Sequence, residues 1–94
     1  MSYVIYKYVL NQGRNWVSLP RGARIICCND QHDCTAIWAL VDPAAEPEER
    51  IFEVIPTGLP FATSEIEDPT YVGTCFFEGG RFVLHVFEVQ AKEE

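Results

Sequence analysis

Two stretches of this chain are apolar on both sides of a strand, and they limit the fold more than any other feature. Side chains alternate across a strand. In "RFVLHVFE" this sets Phe82, Leu84 and Val86 against Val83, His85 and Phe87. In "AIWALV" it sets Ala36, Trp38 and Leu40 against Ile37, Ala39 and Val41. A strand of a simple sandwich buries one face and wets the other. These two need a second cover, and no segment is long enough to supply a covering helix. The remaining covers are a long loop (residues 56–69), curvature into a barrel, or a second subunit. The sequence favours the last, because apolar strand surface left open marks an interaction site.

Period-two patterning predicts strands at residues 3–10, 15–19, 23–28, 34–42, 50–55, 71–78 and 81–89. Between them lie turns at 11–13 and Gly22, a polar loop at 29–33, and an acidic loop at 43–49. Two prolines, Pro43 and Pro47, prevent a helix longer than one turn in that loop. A bend is expected at 56–60, and a turn of helix or an ordered loop at 63–68. This is an all-β chain: a small antiparallel sandwich or partly open barrel of about seven strands. It reads as one domain over residues 1–94, with a frayed acidic tail at 90–94. Gly79-Gly80 suits a two-residue type I′ or II′ hairpin turn, because glycine accepts positive φ. That turn places Glu78 opposite Arg81, Phe76 opposite Val83, Thr74 opposite His85 and Val72 opposite Phe87.

A net charge of −7 excludes general duplex binding, which needs clustered Lys and Arg. It suits instead a basic protein surface. The longest apolar run, residues 36–41, is far short of the roughly 20 residues that span a bilayer. The first ten residues lack a basic start and a cleavage site. The expectation is a soluble, unexported chain whose cysteines, Cys27, Cys28, Cys34 and Cys75, stay mostly reduced, with adjacent Cys27 and Cys28 as small apolar fillers and not a disulfide pair.

Several constellations resemble chemistry. Cys28, His32 and Cys34, with Asp30 or Asp33, are zinc-ligand types. They lack a Cys-x-x-Cys knuckle and read as a polar hairpin loop, so no metal and no cofactor is expected. His85 is a candidate base without a paired nucleophile, and a hydrogen bond to Thr74 accounts for it. No enzyme signature is visible. Arginine forks match phosphate, and tryptophan offers a stacking surface for a base. "GRNWVSLPRGAR" carries Arg14, Trp16, Arg21 and Arg24 within eleven residues. With Trp38, Arg50, His85, and Thr57 and Gly58 of "IPTGLP", these form the expected ligand-binding set, directed at a small anionic nucleotide.

The order of segments resembles a family of small proteins of tailed bacteriophages and prophages, catalogued as a domain of unknown function. The resemblance rests on Leu19-Pro20-Arg21-Gly22-Ala23, Trp38-Ala39-Leu40-Val41-Asp42-Pro43 and His85-Val86-Phe87-Glu88. Pro56, where relatives tend to have glycine, and the cysteine-rich "CCNDQHDC" depart from it. It implies expression in the host bacterial cytoplasm during infection, and a role in blocking host defence. Two routes fit the residues. One is a homo-oligomer that sequesters a nucleotide immune signal in pockets lined by arginine and aromatic residues. The other is an acidic inhibitor that occupies the basic face of a host nucleic-acid-processing defence protein.

Overall fold

A computed structural model describes residues 2–60 and 66–91, and they form seven strands with no α-helix among them. The strands are β1 (Val4–Leu10), β2 (Gly13–Pro20), β3 (Arg24–Gln31), β4 (Cys34–Val41), β5 (Pro47–Pro56), β6 (Ile66–Phe77) and β7 (Phe82–Ala91). They build two antiparallel sheets, β1-β4-β3 and β2-β5-β7-β6, that do not close into a barrel. The chain changes sheet between β1 and β2, so these two strands edge their respective sheets on one side of the sandwich. On the other side β3 and β6 meet.

The inward faces follow from the pairing. Tyr8 and Leu10 of β1 lie opposite Ile37 and Thr35 of β4, and Val54 of β5 lies opposite Val86 of β7. Phe52, Leu19, Ile37, Val41, Val54 and Val86 are the largest fully buried apolar side chains. Burial of each contributes on the order of 1.5–3 kcal/mol. At the β3–β6 seam the Sγ atoms of Cys28 and Cys75 lie 3.9 Å apart, both as free thiols.

The two strands with apolar second faces are both interior: β4 lies between β1 and β3, and β7 between β5 and β6. Their outward side chains are shouldered by neighbours on each side. Ala36 is fully buried, and Trp38, Leu40, Val83, His85 and Phe87 are half-buried. The apolar surplus emerges elsewhere. Among the described residues eleven large apolar side chains remain exposed, five of them on β1 or just before it: Tyr3, Val4, Ile5, Tyr6 and Val9.

The structure corrects several sequence expectations. Gly79 (φ 68°, ψ 24°) and Gly80 (φ 88°) do form a type I′ turn, with the Arg81 N–H donating to the Glu78 carbonyl at 3.3 Å. Glu78 also has positive φ, however, so the ladder starts at Phe77–Phe82 and not at Glu78–Arg81. Phe76–Val83 and Thr74–His85 pair as expected. A bulge then leaves Val72 unpaired, and Tyr71 takes its place opposite Phe87. The expected polar loop at 29–33 is mostly strand. β3 continues to Gln31, and a turn at His32-Asp33, both at positive φ, closes the hairpin. The acidic loop is shorter than expected because Glu48 and Glu49 belong to β5. Of the segment at 63–68, residues 66–68 are strand, and residues 63–65 lie outside those described. Likewise Gln90 and Ala91 end β7 where a tail was expected, and residues 92–94 lie outside. The candidate covering loop at 56–69 lies partly outside as well.

Candidate ligand-binding groove

Strand order decides which of the expected ligand-binding residues meet. Arg14 and Trp16 alternate with inward-facing Asn15 and Val17, so they share the outer face of β2. Because β2 is an edge strand beside β1, they border an open groove between the two strands, about 580 Å³ in volume. Lys7, Tyr8 and Val9 line it from β1, and Asn11, Asn15, Val17 and Ser18 complete it. The groove falls in the usual size range of small-molecule sites. Trp16 is 59% exposed and offers its ring as a stacking surface.

The groove's charge is distinctive on an acidic protein. Among the described residues no carboxylate lines it, although Glu53 meets Arg14 at its rim. All fourteen acidic residues of the chain occur at or after Asp30, whereas four of the seven basic ones, Lys7, Arg14, Arg21 and Arg24, precede it. Arg14 Nε donates to Glu53 Oε1 at 2.6 Å, which fixes its fork at the rim. Lys7 Nζ donates to Gln31 Oε1 at 2.7 Å. Asn15 holds the floor: its Nδ2 donates to the carbonyls of Asn11 and Gly13, and its Oδ1 accepts from the Asn11 N–H at 2.8 Å. Burial, and secondarily Tyr6, push the Tyr8 phenol up, so it stays a neutral donor at ordinary pH.

The other expected residues lie elsewhere. Arg24 and Arg50 share a smaller cleft of about 250 Å³ near the seam, with Tyr71 and Glu88. There Arg50 is bound bidentately by Glu88, at 2.6 and 2.7 Å, and donates to the Ala23 carbonyl at 2.5 Å. Hydrogen bonding to Glu88 raises the Arg50 pKa, against a smaller opposing effect of burial. Arg21 is exposed on the β2–β3 turn, and its N–H donates to the Glu46 carbonyl at 2.8 Å. Trp38 lies on the outer face of the three-stranded sheet, opposite to Trp16.

Thr57 and His85 meet on the outer face of the four-stranded sheet. His85 Nε2 shares a hydrogen bond with Thr57 Oγ1 at 2.7 Å, and Nδ1 shares one with Thr74 Oγ1 at 3.2 Å. Thr74 Oγ1 in turn bonds the Tyr71 hydroxyl at 2.6 Å. A neutral imidazole donates from one nitrogen and accepts at the other, so this chain satisfies His85 fully. In form it is a hydroxyl against a base, but the orienting group is another hydroxyl and not a carboxylate. At the bend Gly58 takes φ 91°, while the Thr57 and Leu59 N–H groups donate to the Val83 and Pro56 carbonyls. Those two amides are therefore committed within the protein. No group of three or more metal-ligating side chains occurs among the described residues.

Sequence reasoning missed Lys7, Tyr8 and Tyr71, whereas the Thr74–His85 hydrogen bond is the one expected. Lys7 carried a usable signal: it is the single charge in an otherwise apolar strand.

The fold and groove define a class: a two-sheet antiparallel β-sandwich, open at the β1–β2 edge and without a helical layer among the described residues. Within that class the chain belongs to the family described as Domain of unknown function (DUF7352), which matches residues 1–94. No curated protein and no solved structure matches it. No helix among the described residues is long and apolar enough to cross a membrane.

Proposed function

We propose that the protein is a non-enzymatic binding protein that sequesters a small anionic nucleotide in the β1–β2 groove. The observation that carries this reading is an exposed Trp16 beside Arg14 on the outer face of β2, where Glu53 orients the guanidinium at the border of the β1–β2 groove. Base stacking contributes roughly 1–3 kcal/mol per base, and the arginine fork recognises phosphate. The −7 charge repels an anion at long range, but no acidic residue precedes Asp30, so β1 and β2 themselves carry only basic charges. The resemblance to tailed-phage proteins sets the proposed context: a counter-defence protein in the host cytoplasm that removes a nucleotide immune signal by binding it.

A second reading has its own support. Glu46, Glu48, Glu49 and Glu53 crowd the start and middle of β5 and the turn before it. Such a surface suits an inhibitor of a basic, nucleic-acid-reading host protein. Calorimetry against cyclic di- and trinucleotides and ADP-ribose derivatives separates the two. Micromolar or tighter binding of one of them supports sequestration. No heat with any member, together with a stable complex with a host nuclease, replaces it with inhibition.

A further inference from the structure

We infer that β1 pairs edge to edge with β1 of a second copy, joining two three-stranded sheets into one six-stranded sheet. A sheet edge offers unpaired N–H and C=O groups to any suitable strand, and proteins blunt their edges with bulges, prolines and charges. Three of the four edges here are blunted. β3 has a bulge between Ile25 and Cys27. β6 has two register shifts and contains Pro69. β2 carries Arg14 and ends at Pro20. β1 has none of these devices except Lys7: it pairs with β4 in unbroken register over seven residues and contains no proline. No described residue pairs with its other edge.

The segment is self-complementary. Antiparallel pairing about a two-fold axis normal to the sheet keeps opposed side chains on one face, so the register must centre on a residue. Centring on Lys7 would oppose two lysines. Centring on Tyr6 sets Ile5 against the partner's Lys7, Val4 against the partner's Tyr8, and Tyr3 against the partner's Val9. That register covers all five exposed apolar side chains of this region, Tyr3, Val4, Ile5, Tyr6 and Val9, and keeps the two lysines apart. Charge points to a second copy of this chain and not to an acidic or basic partner. β1 lacks acidic residues, so the protein's −7 charge is held away from the contact.

The groove lies beside the same strand, so the pairing gives each copy's groove a second β1 strand as a neighbour. Any bearing of that neighbour on a ligand rests on the proposed nucleotide reading, whereas the pairing itself does not.

Ile5 is 56% exposed, so polar substitutions there are tolerated by the monomer fold, which circular dichroism checks. Light scattering of the full chain over a concentration series is expected to give twice the 10.7 kDa protomer mass. Ile5→Lys and Ile5→Glu lose similar apolar area. Ile5→Lys faces the partner's Lys7 twice in the dimer, whereas Ile5→Glu forms two ion pairs. Ile5→Lys is therefore expected to dissociate about tenfold more readily than Ile5→Glu. A wild-type monomer at every concentration, or equal weakening by both variants, overturns the pairing. Calorimetry with cyclic diadenylate, run on the same samples, reads the nucleotide proposal separately. A register-sensitive dimer that ignores the probe upholds the pairing and removes the ligand, and a monomer that binds it does the reverse.

Discussion

The sulfur of Cys28 occupies the space that a side chain on Gly73 would need. A Cβ built on Gly73 overlaps the Cys28 Sγ, so β3 and β6 approach this closely only because residue 73 is glycine. The same approach brings Cys28 to within 3.9 Å of Cys75, sulfur to sulfur. The bulge that displaces Val72 from the ladder lies next to this contact. Seam and register shift are thus two aspects of one packing arrangement.

Gly73→Ala is expected to destabilise the protein by about 1–3 kcal/mol, the usual range for overpacking. Gly73→Ala combined with Cys28→Ala should recover most of that loss. Urea unfolding of the two single variants and the double variant measures the coupling, and strict additivity would show that the overlap is relieved in another way.

Burial, with smaller contributions from Cys75 and Cys27, pushes the Cys28 thiol up to about 12 from an ordinary 9.0. The sign follows from proton counting. Between these values the unfolded chain has lost a proton that the folded chain keeps, so stability falls as pH rises through that interval. Below pH 9 this contribution is fully present. Denaturant midpoints measured on either side of pH 9 should decline for the wild type and decline less for Cys28→Ala. At neutral pH, alkylation followed by peptide mass mapping should label exposed Cys27 and Cys34 well before Cys28 and Cys75.

Arg50 joins β5, β7 and the turn before β3 through Glu88 and the Ala23 carbonyl. Arg50→Ala leaves a partly buried carboxylate and a carbonyl without their donor. A loss of about 1–3 kcal/mol is expected, discounted toward the lower end because the pair is partly solvated. Arg50→Ala with Glu88→Ala should be milder than Arg50→Ala alone. Thermal melts of the three variants test this.

The two tryptophans should behave oppositely. Trp16→Ala, at an exposed position, is expected to change stability by no more than about 0.5 kcal/mol. It should weaken binding of any nucleotide probe at least about tenfold. Trp38→Ala removes a half-buried ring from the outer face of β4, so it should destabilise the fold and leave probe affinity unchanged. The reverse pattern would move the ligand to the other sheet. Calorimetry and thermal melts on the same preparations distinguish the outcomes.

The fold class was legible because alternation and turn residues are local. Gly79-Gly80 marked the last hairpin, and Thr74 and Phe76 found their partners from it. The bulge at Val72 was not legible, because it accompanies a contact with Cys28, forty-four positions earlier in the chain. His32-Asp33 was read as part of a loop because two non-glycine residues at positive φ give no strong sequence signal. The candidate site was legible only in fragments. Arg14 and Trp16 stay together because they are two positions apart on one strand. Arg24 and Arg50 meet at the seam, while Trp38 and His85 lie on other faces, because local patterning does not determine strand order.

The route between the sheets bears on how the chain acquires its shape. β1 is made well before its only described partner, β4, which begins at Cys34. Emerging from the ribosome, the first strand must wait for roughly thirty further residues before its intramolecular ladder can form. Non-local pairing of this kind places folding in the slower, millisecond-to-second regime of β proteins. During that delay this largely apolar strand has no described partner within its own chain.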